Sequence, residues 1–338
     1  MHKTKYLKVH PQHPEKASID RAAALIKAGE LVAFPTETVY GLGADALNDS
    51  AVQKIFTAKE RPQESPLLIH VSQRQQVEGL ALDIPPIAIQ LMDHFWPGPL
   101  SIILPAAPVV PSSVRGGKKT VGFRMPSHPV SIALIQAAGP IAAPSANLYG
   151  RPSPTSSLHV RSDLDGRIAA VLDAGETGGG LESTVLDLSE GRCNLLRQGG
   201  IPIKWIQDEL GADVRVTLAT GMKTAPYKTA VQVLMSENEE DFGEKLQAIK
   251  KNKASLGLIH FTMEALGESE NLQQYTLDLS GHGRSFYAIL RDAEQKGIQV
   301  LLCRPIEGQR GEMSAAVVDR ITRAASAYEI KGLAKKND

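Results

Sequence analysis

Residues 34 to 70 read FPTETVYGLGADALNDSAVQKIFTAKERPQESPLLIH, and the alternation of elements in this stretch decides the fold class of the N-terminal part of the chain. The apolar segment LVAFP, which runs into its first residues, predicts a short buried strand that leads into the polar turn PTET. The segment AVQKIFTAKE has apolar residues at helical spacing, with Ser50 as the expected N-cap and Pro62 beyond its end. SPLLIHV then predicts a second strand, and this order is typical of an α/β domain.

Short apolar segments bounded by Gly and Pro continue to alternate with helical segments beyond this stretch. PPIAIQLMDHFW predicts a helix, and further strands are expected at LSIILPA, TVGFRM, PIAAPS, IAAVLDAG, STVLDLS and CNLLRQ. Because short strands outnumber the helices, we expect an N-terminal α/β domain with a mixed, curved sheet flanked by helices.

The character of the sequence changes near Ala212, where VRVTLATGMKTAPYKTA shows no clear period. After it, the strand-like segments VQVLM, SLGLIHF, YTLDL and QVLLCRP alternate with helical segments, which predicts a smaller C-terminal parallel βαβ domain of Rossmann-like type. We therefore divide the chain into an N-terminal domain at 1–213, a linker at 214–228 and a C-terminal domain at 229–338.

Composition excludes several classes of protein. The 338 residues carry 37 Lys and Arg against 37 Asp and Glu, so no overall basic field indicates a nucleic-acid-coating protein. The two cysteines are far apart and lack zinc-site spacing, and the sequence shows no apolar run of the about 18 residues that a membrane span needs. We expect a soluble, cytoplasmic protein without a membrane partner.

The polar groups in the opening stretch are candidates for an anion site. Lys59 and Arg61 leave the predicted helix end together, which would suit a triphosphate or a carboxylate. Each group has a structural alternative: the two cations can interact with the negative end of the helix dipole, Thr and Glu of PTET can cap a turn, and His70 can be an ordinary core histidine.

Other loops add polar groups but no nucleotide-binding signature. APSAN and GRPSPT bring serines after a predicted strand, and AGETGGGLEST contains a Gly-rich turn that lacks the Gly-Lys-Ser/Thr of a Walker A loop. Spacing alone favours a flexible connection for those glycines. The G-x-S-x-G motif of serine hydrolases and a G-x-G-x-x-G after a strand are both absent.

Taken in order, PTETVYGLGADA, KERP, SPLLIHV, TVGFRMP, APSANLYGRPSPT and ESTVLDL closely resemble the YrdC-like family. The added C-terminal part resembles that of the two-domain threonylcarbamoyl-AMP synthases of this family. The resemblance is strong over about residues 15 to 213 and weaker from about 229 to 338. It implies an enzyme that combines L-threonine, bicarbonate or CO2 and ATP into threonylcarbamoyl-adenylate and pyrophosphate. The product would then pass to the machinery that threonylcarbamoylates the tRNA adenosine beside the anticodon.

The resemblance also implies roles for individual residues. The positions that match threonine-binding residues of the family are Thr38, His70, Arg124, Ala143 and Ser183. The positions that match ATP-binding residues are Arg61, Ser65, Thr120, Ser145, Ser153 and Arg197.

Chemical reasoning gives Lys59 and Arg61 a catalytic role. The carboxylate of a threonine-derived carbamate must approach the α-phosphate of ATP despite like-charge repulsion. Both cations, together with Mg²⁺ brought by ATP, would offset that repulsion, and removal of one such donor costs on the order of 3 to 4 kcal/mol. We therefore expect catalysis by positioning and electrostatics, without a covalent nucleophile.

The linker departs from the family pattern. Related two-domain enzymes carry G-M-K-Y-x-H-Y-A-P, whereas residues 221–230 read GMKTAPYKTA and lack the His. Tyr227 is the candidate aromatic residue of a lid over the nucleotide.

Two alternatives stay open. Arg115, Lys118 and Lys119 in the RGGKKT loop could bind tRNA or double-stranded RNA, although the neutral net charge favours a solvated loop at the mouth of the site. The C-terminal domain, which lacks diagnostic motifs, could be regulatory and dispensable for catalysis.

Overall fold

The computed structural model describes residues 3–211, 216–218, 227–261, 272–277, 285–305 and 314–325. The chain forms two compact units, one made of residues 1–149 and 153–222 and the other of residues 150–152 and 223–338. No helix within the described ranges has the length and apolar character needed to cross a membrane.

The first unit contains an 11-stranded sheet with helices on its faces. Its elements in chain order are β1 (Lys5–Lys8), α1 (Lys16–Lys27), β2 (Val32–Phe34), β3 (Gly41–Asp45), α2 (Asp49–Lys59), β4 (Leu68–His70), α3 (Gln75–Glu78), α4 (Pro86–Phe95), β5 (Leu100–Pro105), α5 (Ser112–Arg115), β6 (Thr120–Arg124), α6 (Pro129–Ala138), β7 (Ile141–Ala142), α7 (Ser157–Leu164), β8 (Ala170–Asp173), β9 (Thr184–Asp187), β10 (Cys193–Arg197), α8 (Ile203–Leu210) and β11 (Val216–Leu218).

The sheet is mixed, as the sequence predicts. Its strand order is β1-β8-β2-β3-β7-β4-β6-β5-β9-β10-β11. It contains parallel pairs, such as β4 with β6 and β5 with β9, and antiparallel pairs, such as β2 with β3 and β5 with β6.

Residues along β2 alternate between two apolar clusters. Val32 and Phe34 of β2 pack in one cluster, together with residues of α1 and α6, whereas Ala33 packs in the other cluster, with residues of α2 and α4. Because successive side chains of a strand point to opposite faces, both faces of the sheet are covered by helices.

Helix α2 forms where the sequence predicts it, but its start differs. Val52, Ile55 and Phe56 are buried as expected. The N-cap is Asn48 and not Ser50, because the Asn48 side chain accepts the amide proton of Ala51, and the Ser50 hydroxyl donates to Asn48 Oδ1 at 2.7 Å. An Asn oxygen is as good a helix cap as a Ser oxygen, and composition alone does not rank them.

The second unit has a smaller sheet that is entirely parallel. Its strand order is β12-β15-β13-β14, and each neighbouring pair is parallel. Its elements are β12 (Gln232–Met235), α9 (Glu239–Lys251), β13 (Leu256–His260), β14 (Gln273–Thr276), α10 (Phe286–Gln295), β15 (Val300–Cys303) and α11 (Ser314–Ala325). The prediction of an α/β fold with a mixed sheet and a second, parallel sheet is confirmed.

Three strands of the first unit, β1, β3 and β11, were not expected from the sequence. GLGAD at Gly41–Asp45 forms β3, because this Gly-containing segment pairs with β2 on one side and β7 on the other. Three residues inside the predicted linker form β11, which pairs in parallel with β10, while most of that linker lies outside the described residues.

Alanine substitutions at a buried and an exposed leucine test whether β3 belongs to the core of the first unit. Leu42 is fully buried in β3, whereas Leu82 is 66% exposed. We expect Leu42→Ala to lower the free energy of unfolding by about 2–5 kcal/mol, because it leaves a cavity in the core. Leu82→Ala should change it by less than about 0.5 kcal/mol. Denaturant unfolding measures both, and equal effects would contradict the assignment of β3 to the core.

Candidate functional site

The ends of several strands meet at one edge of the large sheet. His70, the last residue of β4, pairs in register with Arg124, the last residue of β6, and also with Ile141 of β7. Arg124 is in turn opposite Ser101 of β5. Register therefore brings groups that are distant in sequence to one place, as expected for strand ends in α/β sheets.

A cavity of about 190 Å³ lies at this edge. All of the positions predicted for threonine line it, namely Thr38, His70, Arg124, Ala143 and Ser183, and so do three of those predicted for ATP, namely Arg61, Ser145 and Arg197. The same wall includes Thr36, Gly41, Pro144 and Glu182.

Arg124 is the centre of a buried polar cluster. Its guanidinium, in a side chain that is 5% exposed, lies 2.7 Å from Glu37 Oε1, and its Nη2 donates to Thr38 Oγ1 at 2.9 Å. The Thr38 hydroxyl is also 2.8 Å from that of Thr36. The PTET turn thus holds a buried cation that faces the cavity.

Ser183 is held from two sides. Its hydroxyl is 2.8 Å from the hydroxyl of Ser101, and Arg197 donates to it from Nη2 at 3.1 Å. Arg197 Nε also donates to the Ser183 carbonyl oxygen at 3.0 Å. Arg197, the last residue of β10, therefore fixes Ser183, which directly precedes β9.

Lys59 and Arg61 have different environments although they are two residues apart. Lys59 is 1% exposed, and its Nζ donates to the backbone carbonyls of Ser145 and Asn147. The helix ends at Glu60, which has φ 54° and is left-handed, so that the chain turns before Arg61. Lys59 is absent from the cavity wall, whereas Arg61 belongs to it.

Arg61 is half-buried, with its Nε atom enclosed, and few groups hold it. Its Nη2 donates to the Pro66 carbonyl at 3.2 Å, and its guanidinium lies 5.7 Å from the centroid of the Tyr149 ring. Burial lowers the pKa of the Arg61 guanidinium, while the interaction with Tyr149 acts in the opposite direction. A cation in such a place gains from an anionic ligand.

Three polar atoms of the cavity wall are buried without a hydrogen-bond partner among the described residues. They are Nε of Arg61, Nδ1 of His70 and Nε of Arg124. Buried polar groups in native proteins are nearly always paired, so such a cluster calls for an explanation. Two of the three are cationic donors, and a bound anion would satisfy them.

His70 is a neutral imidazole in this site. Burial, with a smaller contribution from the charge of Arg124, lowers the pKa of His70 from 6.5 to about 3. The ring also packs edge-on against Phe34, with 6.2 Å between centroids. One ring nitrogen of neutral imidazole can therefore donate and the other accept at neutral pH.

The remaining predicted residues are not part of the cavity wall. Ser65 lies in the loop before β4, and Thr120 begins β6. Ser153 donates from its hydroxyl to Glu182 Oε1 at 3.0 Å, and so contacts the wall through that carboxylate. Their contact with ATP stays a prediction.

Tyr227 lies in the second unit, where its hydroxyl is 2.8 Å from that of Tyr287 and the two rings pack edge to face. Residues 221–226 of the linker are outside the described ranges. The lid role of Tyr227 is untested and stays a prediction.

The basic loop is partly used for its own structure. Arg115 donates to the carbonyls of Val110 and Lys118, whereas Lys118 and Lys119 are exposed. Contact of this loop with tRNA stays a prediction.

Glu182 is the functional candidate that sequence reasoning did not single out. It is the acidic residue of the cavity wall among the described residues, and it directly precedes Ser183. The sequence signal for it is its place in EST, directly before the two hydroxyl residues Ser183 and Thr184. Within the described ranges, no group of three or more His, Cys, Asp or Glu side chains could hold a metal ion.

Two family models match the chain. The Sua5/YciO/YrdC model, described as "Telomere recombination", matches residues 24–199. The model described as "Threonylcarbamoyl-AMP synthase, C-terminal domain" matches residues 196–326.

Several known proteins are similar to the chain. A threonylcarbamoyl-AMP synthase of Pyrococcus abyssi is 40% identical, with 94% of this chain and 96% of that protein covered. One of Bacillus subtilis is 52% identical over 57% of this chain and 56% of its own. The crystal structure of Pyrococcus abyssi Sua5 complexed with L-threonine superposes with a TM-score of 0.85 at 37% identity, covering 96% of this chain and 98% of the other.

The buried lysine should matter for stability. We expect Lys59→Met to lower the free energy of unfolding by about 2–4 kcal/mol, because it leaves two carbonyl groups without their charged donor. Lys54→Met is the matched control on the same helix, because Lys54 donates to the Gly29 carbonyl from a half-exposed position. Denaturant unfolding compares the two, and an equal, small effect would contradict the anchoring role.

The lowered pKa of His70 predicts that the free energy of unfolding depends on pH. Because its folded pKa of about 3 lies below the ordinary 6.5, the unfolded chain binds this proton first, and stability should fall as pH drops from about 6.5 toward 3. The slope from this group is at most about 1.4 kcal/mol per pH unit. Compared with wild type, His70→Gln should flatten the curve of unfolding free energy against pH. His13→Gln, at an exposed histidine, is the control and should leave the curve unchanged.

Proposed function

The chain belongs to the Sua5/YciO/YrdC family, and from this premise we propose that it is a threonylcarbamoyl-AMP synthase. Its substrates are L-threonine, bicarbonate or CO2, and ATP, and its products are threonylcarbamoyl-AMP and pyrophosphate. The threonylcarbamoyl group is destined for the tRNA adenosine beside the anticodon.

One observation carries this proposal. The wall of a single cavity contains two arginines whose buried Nε atoms have no hydrogen-bond partner among the described residues, together with a neutral imidazole and several hydroxyls. This set matches a ligand that has carboxylate, phosphate and hydroxyl groups. The similarity to a Sua5 protein complexed with L-threonine supports this amino acid as the ligand.

The threonine half of the site is formed by the PTET turn and the ends of β4 and β6. Arg124 would bind the carboxylate of L-threonine, because its Nε has no partner within the described residues while its Nη2 is already held by Thr38. Glu37 compensates the charge of Arg124 and fixes its direction. His70 and Ser183 would orient the remaining polar groups of the amino acid.

The nucleotide half is formed by Arg61, Ser145 and Arg197, with Ser65, Thr120 and Ser153 at the positions given by the family resemblance. Arg61 follows a helix end and has an unpaired Nε, which suits an oxygen of the triphosphate. Lys59 would serve this half indirectly, because it holds the carbonyls of the loop that contains Ser145.

The chemistry takes place in two steps. The neutral amine of threonine attacks the carbon of bicarbonate, forming a C–N bond and releasing water, and gives a carbamate. A carbamate oxygen then attacks the α-phosphorus of ATP, the bond from that phosphorus to the bridging oxygen breaks, and pyrophosphate leaves. Arg61 would offset the repulsion between the two anions, so catalysis rests on positioning and fixed charge.

Mg²⁺ would enter with ATP and neutralise part of the phosphate charge. Glu182 is the carboxylate that the described cavity wall offers. Since Mg²⁺ in such sites is held by one or two carboxylates together with substrate phosphates, this donor set fits a metal carried mainly by the nucleotide.

We also propose the finer features that the sequence suggested. The all-parallel order β12-β15-β13-β14 supports a Rossmann-like description of the second unit. A curved large sheet, a cytoplasmic location and transfer of the product to the tRNA-modifying machinery belong to the same proposal.

The direct test is incubation of the full chain with labelled bicarbonate, L-threonine, ATP and Mg²⁺ at neutral pH. We expect pyrophosphate release and a labelled adenylate that forms only with threonine. Absence of both products from freshly prepared, folded protein would overturn the proposal. Salt-sensitive binding of tRNA without ATP turnover would instead favour the RNA-binding alternative.

Two arginine substitutions should divide the site into its halves. Arg61→Ala should lower kcat on the order of 10²-fold, because a fixed charge near the reacting phosphate is lost. Arg124→Met should mainly raise the KM for L-threonine. Arg74→Ala, at a surface ion pair with Asp93, is the control and should leave both constants unchanged. A normal rate in Arg61→Ala would contradict the electrostatic role.

A further inference from the structure

The Gly-rich segment before β9 passes directly against the PTET turn. The amide of Gly179 donates to the Glu37 carbonyl at 2.7 Å, and the amide of Gly180 donates to the Thr38 carbonyl at 3.0 Å. A Cβ atom on Gly179 would lie 2.6 Å from the Glu37 carbonyl oxygen. Since a carbon cannot approach an oxygen so closely, this contact exists only because residue 179 has no side chain.

A second contact of the same kind occurs at another loop. Gly116, at the end of α5, has φ +57°, and a Cβ atom there would lie 2.5 Å from the Glu64 carbonyl oxygen and 2.9 Å from Pro66 N. Next to it, the amide of Leu67 donates to the Val114 carbonyl at 2.8 Å. Ser65 lies between the two atoms that Gly116 approaches.

We propose that Gly179 and Gly116 are positioning residues that set the two halves of the site separately. Gly179 fixes the backbone of Thr38 and hence the threonine half, and Gly116 fixes the backbone around Ser65 and hence the nucleotide half. This inference rests on the proposed function, because it takes over the assignment of Thr38 to threonine and of Ser65 to ATP.

The reason for two separate effects is the location of the contacts. Gly179 touches the carbonyl side of the PTET turn, whereas Gly116 touches the loop between α2 and β4. A methyl group at either place must push its own neighbour by several tenths of an ångström or more. Misplacement of a substrate-binding group by about 1 Å can cost on the order of 10²-fold in rate, so smaller shifts should be measurable.

The chain offers a matched control for each glycine. Gly178 precedes Gly179 and has no atom within 4 Å of a Cβ position. Gly117 follows Gly116, also has a positive φ, at +78°, and its Cβ position is equally open. Gly116→Ala and Gly117→Ala therefore share the backbone cost of a left-handed alanine, and only the first adds the steric contact.

The experiment measures KM for L-threonine and for ATP by pyrophosphate release, together with the melting temperature of each variant. Gly179→Ala should raise the KM for threonine about tenfold or more and leave that for ATP within about twofold. Gly116→Ala should do the reverse. The two controls should keep the wild-type KM values, although Gly117→Ala should melt at a lower temperature because of its left-handed alanine. A general loss of stability would raise both constants alike or neither, and either result would overturn the inference.

A milder variant covers the case in which Gly179→Ala does not fold. Thr177 donates from Oγ1 to the Thr38 carbonyl at 3.1 Å, so it also holds the PTET turn. Replacing Thr177 by Val removes this hydrogen bond without adding a steric clash. Thr177→Val should raise the KM for threonine alone, by about threefold, which is the effect of a weak hydrogen bond. An unchanged KM would overturn the threonine half of the inference.

The corresponding variant for the other half is Ser113→Ala. Ser113 donates to Asp49 Oδ1 at 2.6 Å and anchors the helix that ends at Gly116. Ser113→Ala should raise the KM for ATP alone, by about threefold as for Thr177→Val. An unchanged KM for ATP would overturn the nucleotide half of the inference.

Failure of the inference and failure of the proposed function give different results. If wild-type protein forms no adenylate, the proposed function fails. If wild type is active and the glycine variants behave like their controls, the function stands and only the positioning role is wrong.

Discussion

The burial of the Lys59 ammonium is the constraint on which the site depends. A charged group that is 1% exposed must find its acceptors inside the protein, and the acceptors here are the carbonyls of Ser145 and Asn147. In return, the amide of Tyr149 donates to the Lys59 carbonyl at 2.8 Å. These bonds tie the end of one helix to the loop after β7, and thereby set one wall of the cavity.

The site combines a rigid frame with unsatisfied polar groups. Strand register brings His70 and Arg124 side by side, and backbone contacts at Gly179 fix the turn that presents Thr38. Against this frame, Arg61 and Arg124 keep buried donors without partners in the described structure. Such preorganised charge is effective in catalysis because the protein need not rearrange at the moment of reaction.

The sequence predicted much of this molecule because its signals are local. Apolar segments indicated most strands, and helical spacing identified the buried face of α2. The strand β3 was missed because GLGAD lacks the apolar pattern of a typical strand. It becomes a strand by pairing with β2 on one side and β7 on the other. The ordered motifs located most of the cavity wall. These motifs could not show that Lys59 and Arg61 have different environments. The left-handed residue that separates the two is Glu60, and a glutamate gives no sequence signal of a left-handed backbone.

That left-handed residue has a consequence for how the family can diverge. Because the chain turns at Glu60, one cation of the Lys-x-Arg pair is enclosed among carbonyls and the other faces the cavity. The two positions are therefore under different structural constraints. A descendant of this fold that acquired a new reaction could exchange Arg61 without loss of structure, whereas Lys59 would have to stay for the loop to keep its path. Retention of the lysine alone would then mark shared ancestry, and retention of the arginine shared chemistry.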